Sequence, residues 1–222
     1  PFPWIVSDFG LVDAIESGLT KIPRVPVMDD SGRPDPKYFH LWRRIMDALP
    51  ASERETTKRR AKPESVWREA EGALVTLASK WNATREYFEA SRFEVPPVLI
   101  VVAANTTLAK IVSEALREGG IHAELAGEHT LHIDSRVLAS AESGEGETRE
   151  QAAQMLRLTT ATVGKAHWPE GRRPEGFDGQ EFPPGKRIRC VVSVGMLTEG
   201  WDAPNVTQVL GLRAFSSQLL CE

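Results

Sequence analysis

The amino-acid sequence predicts an α/β fold with a mostly parallel sheet and flanking helices, preceded by a small α-helical insertion. Three observations lead there. Val98-Leu99-Ile100-Val101-Val102 is an unbroken apolar run, the pattern of a strand buried on both faces of a parallel sheet. Two more β-rich apolar runs follow, at 188–194 and 206–212. Between the first run and these two lie segments with helical periodicity, and alternation of strand with helix is the order that builds parallel sheets.

Along the chain, residues 1–36 are rich in turn formers, with prolines at 23, 26, 34 and 36 and the loop signal Asp29-Asp30-Ser31-Gly32. A short apolar stretch at 9–15 supports a helical turn or two, and the segment reads as a connecting arm. In 37–50, Phe39, Trp42, Ile45, Met46 and Leu49 recur at helical spacing until Pro50 stops the helix. Residues 51–62 are polar and end in the basic run KRRAK. Over 37–68, nine Lys/Arg stand against four acids, a local excess of five positive charges. Such runs are mostly solvated surface, with contact to nucleic acid as the sharper alternative. A longer helix follows, with Pro63 suited to its first turn. Its apolar positions, Trp67, Ala70, Leu74, Leu77, Trp81, Thr84 and Phe88, lie three or four apart, a stripe that reads as core or as a seam against another helix. Residues 37–94 thus form the helical insertion, and 95–222 the α/β part.

After the first strand, Asn105, Thr106 and Thr107 supply a helix cap. Leu108, Ile111, Val112, Ala115 and Leu116 give that helix an inner face, and Gly119-Gly120 ends it. A short strand is expected at 121–125. Residues 139–149 are small, acidic and glycine-containing, the composition of a mobile loop. Residues 150–161 read as a helix with Ala153, Leu156 and Leu158 among its apolar positions. The stretch 168–185 holds four prolines and four glycines without hydrophobic periodicity, so it is a long loop. The last two strands, 188–194 and 206–212, are expected to be buried.

Composition bounds the function. At ~150 residues per domain, 222 residues make one large domain or one and a half, with 41% hydrophobic and 26% charged residues, as in soluble globular proteins. With 27 basic and 31 acidic residues the net charge is −4, which excludes coating nucleic acid through bulk charge but leaves room for a local basic groove. The apolar run 98–104 is far shorter than the ~20 residues of a membrane helix, and no signal-peptide pattern opens the chain, so no membrane association is expected. The two cysteines, Cys190 and Cys221, lack a C-x-x-C setting and read as reduced, buried thiols of a cytoplasmic protein. His122, His129 and His132 lie close together but without carboxylate or cysteine partners at ligand spacing, so they are expected as surface or packed histidines and not as a metal site.

The chemistry concentrates in 191–213, VVSVGMLTEGWDAPNVTQVLGLR. A strand ends near Val194, and the polar loop Thr198-Glu199-Gly200-Trp201-Asp202 follows at its carboxyl end, where ligands sit in open parallel sheets. Gly200 permits a close backbone approach or an unusual φ, and Asp202 can accept two hydroxyl hydrogen bonds. Pro204 and Asn205 then turn the chain into the next strand. The residues alone leave a binding loop and an ordinary strand–loop–strand turn equally open. Trp201 either stacks on a base or adenine or, more commonly for such a residue, plugs its loop onto the sheet.

VSVGMLTEGWD followed by VTQVLGLRAFSSQLLCE resembles motif V of superfamily 2 helicases, in the variant of restriction-enzyme motor subunits. DFGLVDAIESGLTKIPRVPV resembles the stretch after the first motor domain in the Res subunit of type III restriction enzymes. VLIVVAANTTLAKIV resembles their motif IV strand and helix, and LHIDS and TVGK fit as well. The likeness covers most of the chain and is weakest over 140–185.

This resemblance implies a second RecA-like domain, half of an ATP-dependent DNA helicase or translocase, truncated before its end. Gly200 and Asp202, with Glu199 and Thr198, would approach ATP from this half. Asn105, Thr106 and Thr107, with Ser193 and Arg213 as further candidates, would face the nucleic-acid backbone. The partners implied are DNA, the first RecA-like domain of the same parent chain and a Mod-type methyltransferase subunit. The cofactors are ATP and Mg²⁺ in the intact enzyme, and the fragment alone holds no catalytic residue. No G-x-x-x-x-G-K-[ST] and no DExx pair occurs, and the family's Q-x-x-G-R-x-x-R motif, bearing the arginine finger, would follow Glu222. A chain opening on Pro1 is accordingly expected to be a piece of a longer enzyme, inactive as an ATPase by itself. Two other readings stand beside this one: the motor half of a repair or RNA superfamily 2 helicase, and a non-catalytic helicase-like α/β interaction domain.

Overall fold

Residues 10–18, 40–55, 60–134, 147–170, 173–174, 176–177, 179–194 and 203–214 are described by the structure, a computed structural model. The chain divides into two units, Pro1–Phe39 with Phe215–Glu222 and His40–Ala214. In the first, α1 (Leu11–Glu16) is the short helix expected near 9–15, and the Asp13 carboxylate accepts the Gly10 N–H at 2.9 Å to hold its start.

The second unit opens with α2 (Leu41–Ala48), which buries Ile45 and is followed by the buried Leu49 before Pro50. Arg54 donates from Nε to the Leu49 carbonyl, closing that helix end. The polar stretch after Pro50 contains a feature that its composition did not suggest, a two-residue antiparallel ladder of β1 (Arg54–Glu55) with β2 (Arg60–Ala61). It leads into α3 (Pro63–Ala90), where Pro63 occupies the first turn as expected. The stripe is confirmed at Ala70, Leu74 and Trp81, which are fully enclosed.

The α/β part runs β3 (Val98–Ala103), α4 (Thr106–Arg117), β4 (Thr130–Ile133), α5 (Glu147–Ala161), β5 (Cys190–Ser193) and β6 (Val206–Leu212). The four strands form one sheet in the order β4-β5-β3-β6, and every neighbouring pair is parallel. The protein is therefore α/β with an all-parallel sheet and flanking helices, consistent with a RecA-like architecture. Because side chains alternate along a strand, Val98 and Ile100 of β3 share one face with Leu131, Ile133 and Val191, packed against Val163, Ile188 and Leu156. Leu99 and Val101 take the other face, which α3 and α4 cover.

The helices of 37–94 are not set apart from this sheet. α3 packs on α4 and β6, and the enclosed Trp81 donates from Nε1 to the Pro97 carbonyl at 2.9 Å, at the threshold of β3. The seam read from the stripe is thus the sheet's own cover.

Three expectations need correction or refinement. The strand expected at 121–125 is not formed. His122 Nδ1 accepts the Glu124 N–H and Gly127 sits at φ 60°, so the chain coils through 3₁₀ turns at Ala123–Leu125 and Gly127–His129 and becomes extended only at Thr130. Among the described residues β6 is an edge strand with one half-open face, and its Val209 is 59% exposed, unlike the buried strand expected. The loop at 168–185 folds back on itself where it is described: Trp168 donates to the Gln180 carbonyl at 2.9 Å and lies edge-on to Phe177. The mobile loop expected at 139–149 falls mostly outside the described residues.

The end of that loop is seated without room to spare. Gly185 donates its N–H to Thr162 Oγ1 at 3.0 Å, and a Cβ on it would lie 2.3 Å from the Thr162 carbonyl carbon and 2.4 Å from the Val163 nitrogen. Gly185→Ala is expected to lower stability by about 1–3 kcal/mol, whereas Gly179→Ala, which meets nothing within 4 Å, should stay within about 0.5 kcal/mol of the parent. Urea unfolding of both variants checks this; equal stabilities would contradict the packing described.

Candidate functional site at the carboxyl edge of the sheet

Since all four strands run in parallel, their carboxyl ends share one edge of the sheet. The chain leaves β3 through α4 toward β4 on one side, while β6 lies on the other, so the strand order changes direction at β3. Such a switch point leaves a crevice outside the strand ends, the usual ligand position in open α/β sheets.

Asn105 stands at that edge in an extended conformation and caps α4, its Oδ1 accepting the Leu108 N–H at 2.9 Å. Thr106 and the exposed Thr107 form the first turn, which carries no acidic residue. A helix start of this kind presents backbone N–H donors and a partial positive charge. Arg213 follows β6 and donates from Nη1 to the Val194 carbonyl at 3.1 Å, just beyond β5. Ser193 ends β5 but is fully enclosed, and its Oγ meets no partner among the described residues. The structure thus brings Asn105, Thr106, Thr107 and Arg213 to one edge, with Ser193 beneath it. Thr198, Glu199, Gly200, Trp201 and Asp202 lie outside the described residues, as do Lys58, Arg59 and Cys221.

One cluster at this end was not foreseen. His132 is packed, as expected of it, but it has a carboxylate beside it. Its Nε2 lies 2.9 Å from Asp134 Oδ2, within ion-pair reach though off the line of a hydrogen bond, and its Nδ1 lies 3.3 Å from Ser113 Oγ on α4. His132 and Asp134 are both buried. Burial pushes the His132 pKa down, and the neighbouring Asp134 opposes that shift without cancelling it. The sequence did carry a signal, since residues two apart on a strand share a face. His122 and His129 are engaged elsewhere, with the Glu124 N–H and, at 3.0 Å, the Arg187 carbonyl.

Burial raises the Cys190 thiol to about 12, with only a weak opposing hydrogen bond from Thr130, so it is no nucleophile at neutral pH. Among the described residues no group of three or more His, Cys, Asp or Glu is placed to hold a metal ion, and no helix is long and apolar enough to cross a membrane.

A groove of about 900 Å³ lies at the opposite, amino edge, lined among others by Phe88, Phe93, Phe182, Lys186 and Arg187. Among the described residues, none of those singled out from the sequence as a nucleotide or DNA contact lines it. Its charges largely satisfy one another: Arg187 pairs with Glu128, Arg189 with Glu124 and Arg85 with Glu89. Comparison with known proteins finds no matching family model, curated protein or solved structure.

The His132 environment has a pH consequence. A folded-state pKa below the unfolded value of ~6.5 means that the unfolded chain takes up the proton first. Stability from this group is therefore full above that pH and falls as the pH drops through it. Urea midpoints at pH 7.5 and 5.5 should show a larger acid loss in the parent than in His132→Gln. Equal losses would contradict the assignment.

Proposed function

We propose that this chain is the second motor half of an ATP-dependent DNA translocase, of the kind found in the Res subunit of type III restriction enzymes. The observation that carries the reading is the meeting of three things at one edge: the capped start of α4, the carboxyl end of the central β3, and the end of β5 from which the Thr198–Asp202 motif departs. In the intact enzyme Gly200 and Asp202, with Glu199 and Thr198, approach ATP and Mg²⁺ held by the first RecA-like domain. Hydrolysis there opens and closes the cleft between the two halves. Asn105, Thr106 and Thr107 hold the DNA backbone through amide, hydroxyl and N–H groups, which position a strand without reading its sequence. This half supplies neither a phosphate-cradling lysine loop nor an arginine finger, so it hydrolyses no ATP alone. A Mod-type methyltransferase subunit would supply sequence recognition, and the assembly is cytoplasmic.

A second reading, a non-catalytic interaction domain, draws on the amino-edge groove, whose Phe93 is 55% exposed and whose Phe182 lies beneath Lys186. Exposed apolar surface rimmed by charge is a feature of protein–protein contacts.

Asn105→Asp separates the two. It keeps an acceptor for the Leu108 N–H, so the cap survives, but it sets a negative charge where a phosphate would lie. Affinity for a mixed-sequence DNA duplex should fall about tenfold, equivalent to ~1.4 kcal/mol, with an unchanged urea midpoint. An unaltered affinity would remove α4 from the DNA site.

A further inference from the structure

The resemblance implies Arg213 as a further candidate for the DNA backbone, but its position suits a different task. β5 and β6 lie on opposite sides of β3: Val102 pairs with Ser193 on one side and with Gly211 on the other. Val194 and Arg213 are therefore two strand spacings apart, roughly 10 Å. Arg213 crosses that gap with its own side chain, Nη1 donating to the Val194 carbonyl at 3.1 Å and Nε approaching the Ala214 carbonyl at 3.4 Å. β3, which lies between β5 and β6, ends at Ala103.

The other end of the same crossover is also fastened. Asn205 donates from Nδ2 to the Pro96 carbonyl, and its buried Oδ1 faces Gly164, where a Cβ would come within 2.2 Å. The segment from Val194 to Asn205 is thus tied at both ends by side chains that bind backbone carbonyls next to β3.

We infer that Arg213 is a positioning residue that clamps the carboxyl ends of β5 and β6 across β3 and fixes the point from which the chain leaves β5. What that serves rests on the proposed motor function, because the segment leaving β5 bears the Thr198–Asp202 motif. Arg213 acts on it through the Val194 carbonyl and not as a ligand of phosphate.

Two measurements on the 222-residue chain, each with Arg213→Gln and Arg213→Lys, test this. The first is backbone amide exchange without DNA. Arg213→Gln should speed exchange at least about tenfold in peptides covering 191–205 while leaving 98–117 unchanged, and Arg213→Lys, which keeps a cationic donor, should recover part of the protection. Unchanged exchange at 191–205, or equal acceleration throughout the chain, overturns the clamp. The second is the salt dependence of binding to a mixed-sequence duplex. A positioning residue leaves the slope of log K against log salt as it is, whereas loss of a phosphate ligand reduces it by about 0.9. A reduced slope in Arg213→Gln makes Arg213 a phosphate ligand and overturns the inference. If the parent chain shows no affinity for the duplex, it is the nucleic-acid reading that fails, and the exchange measurement decides the clamp by itself.

Discussion

β3 takes backbone hydrogen bonds from β5 on one side and β6 on the other along almost its whole length, and its first amides are met by the Asn205 and Arg189 carbonyls. A strand so placed has no edge to solvate and cannot leave its N–H and C=O groups unpaired, so the register on both sides is held at once. Its side chains add to this: Val98, Leu99, Val101 and Ala103 are fully enclosed, each larger one contributing ~1.5–3 kcal/mol of burial. The start of α4, the bridge made by Arg213 and the flanking residues Val194 and Asn205 all take their positions from this strand. Twelve residues join β5 to β6, about the minimum for a parallel crossover, so the fastenings at the two ends carry weight.

Where burial decided the conformation, the sequence was readable. The apolar run at β3, the Ala70, Leu74 and Trp81 positions of the helical stripe, the Asn105 cap, Pro63 in a first turn and the Gly119 stop each follow from one local rule, and each is found. The failures have two causes, local backbone geometry and strand order. Residues 121–125 look strand-like, but the hydrogen bond from the Glu124 N–H to His122 Nδ1 and the positive φ of Gly127 bend the backbone in ways that a hydrophobic pattern does not record. Val209 is apolar yet exposed because strand order, which no local window contains, puts β6 at the sheet's edge. The His132–Asp134–Ser113 cluster depends on α4 lying across β4, and again only topology brings those residues together. The site residues divide in the same way. Asn105, Thr106 and Thr107 were legible as a cap, but that Ser193 is enclosed and that Arg213 reaches across β3 followed only from strand neighbours.

The two ends of the sheet differ in chemistry. At the amino edge, cations and carboxylates are matched in pairs around aromatic rings, which leaves little net attraction for a polyanion. At the carboxyl edge, a helix start without acidic residues presents its backbone N–H donors, and the net charge of −4 for the whole chain is compatible with a local site of that kind, since steering depends on the local field. Under the proposed function it is the carboxyl edge, and not the amino-edge groove, that meets the nucleic acid.

Amide-exchange footprinting of the 222-residue chain with and without a saturating mixed-sequence duplex tests that claim most directly. Protection is expected only in the first turn of α4 at 105–108 and in the chain leaving β5 and β6, with 180–189 unchanged. Protection at 180–189 and 93–96 with none at 105–108 would contradict it.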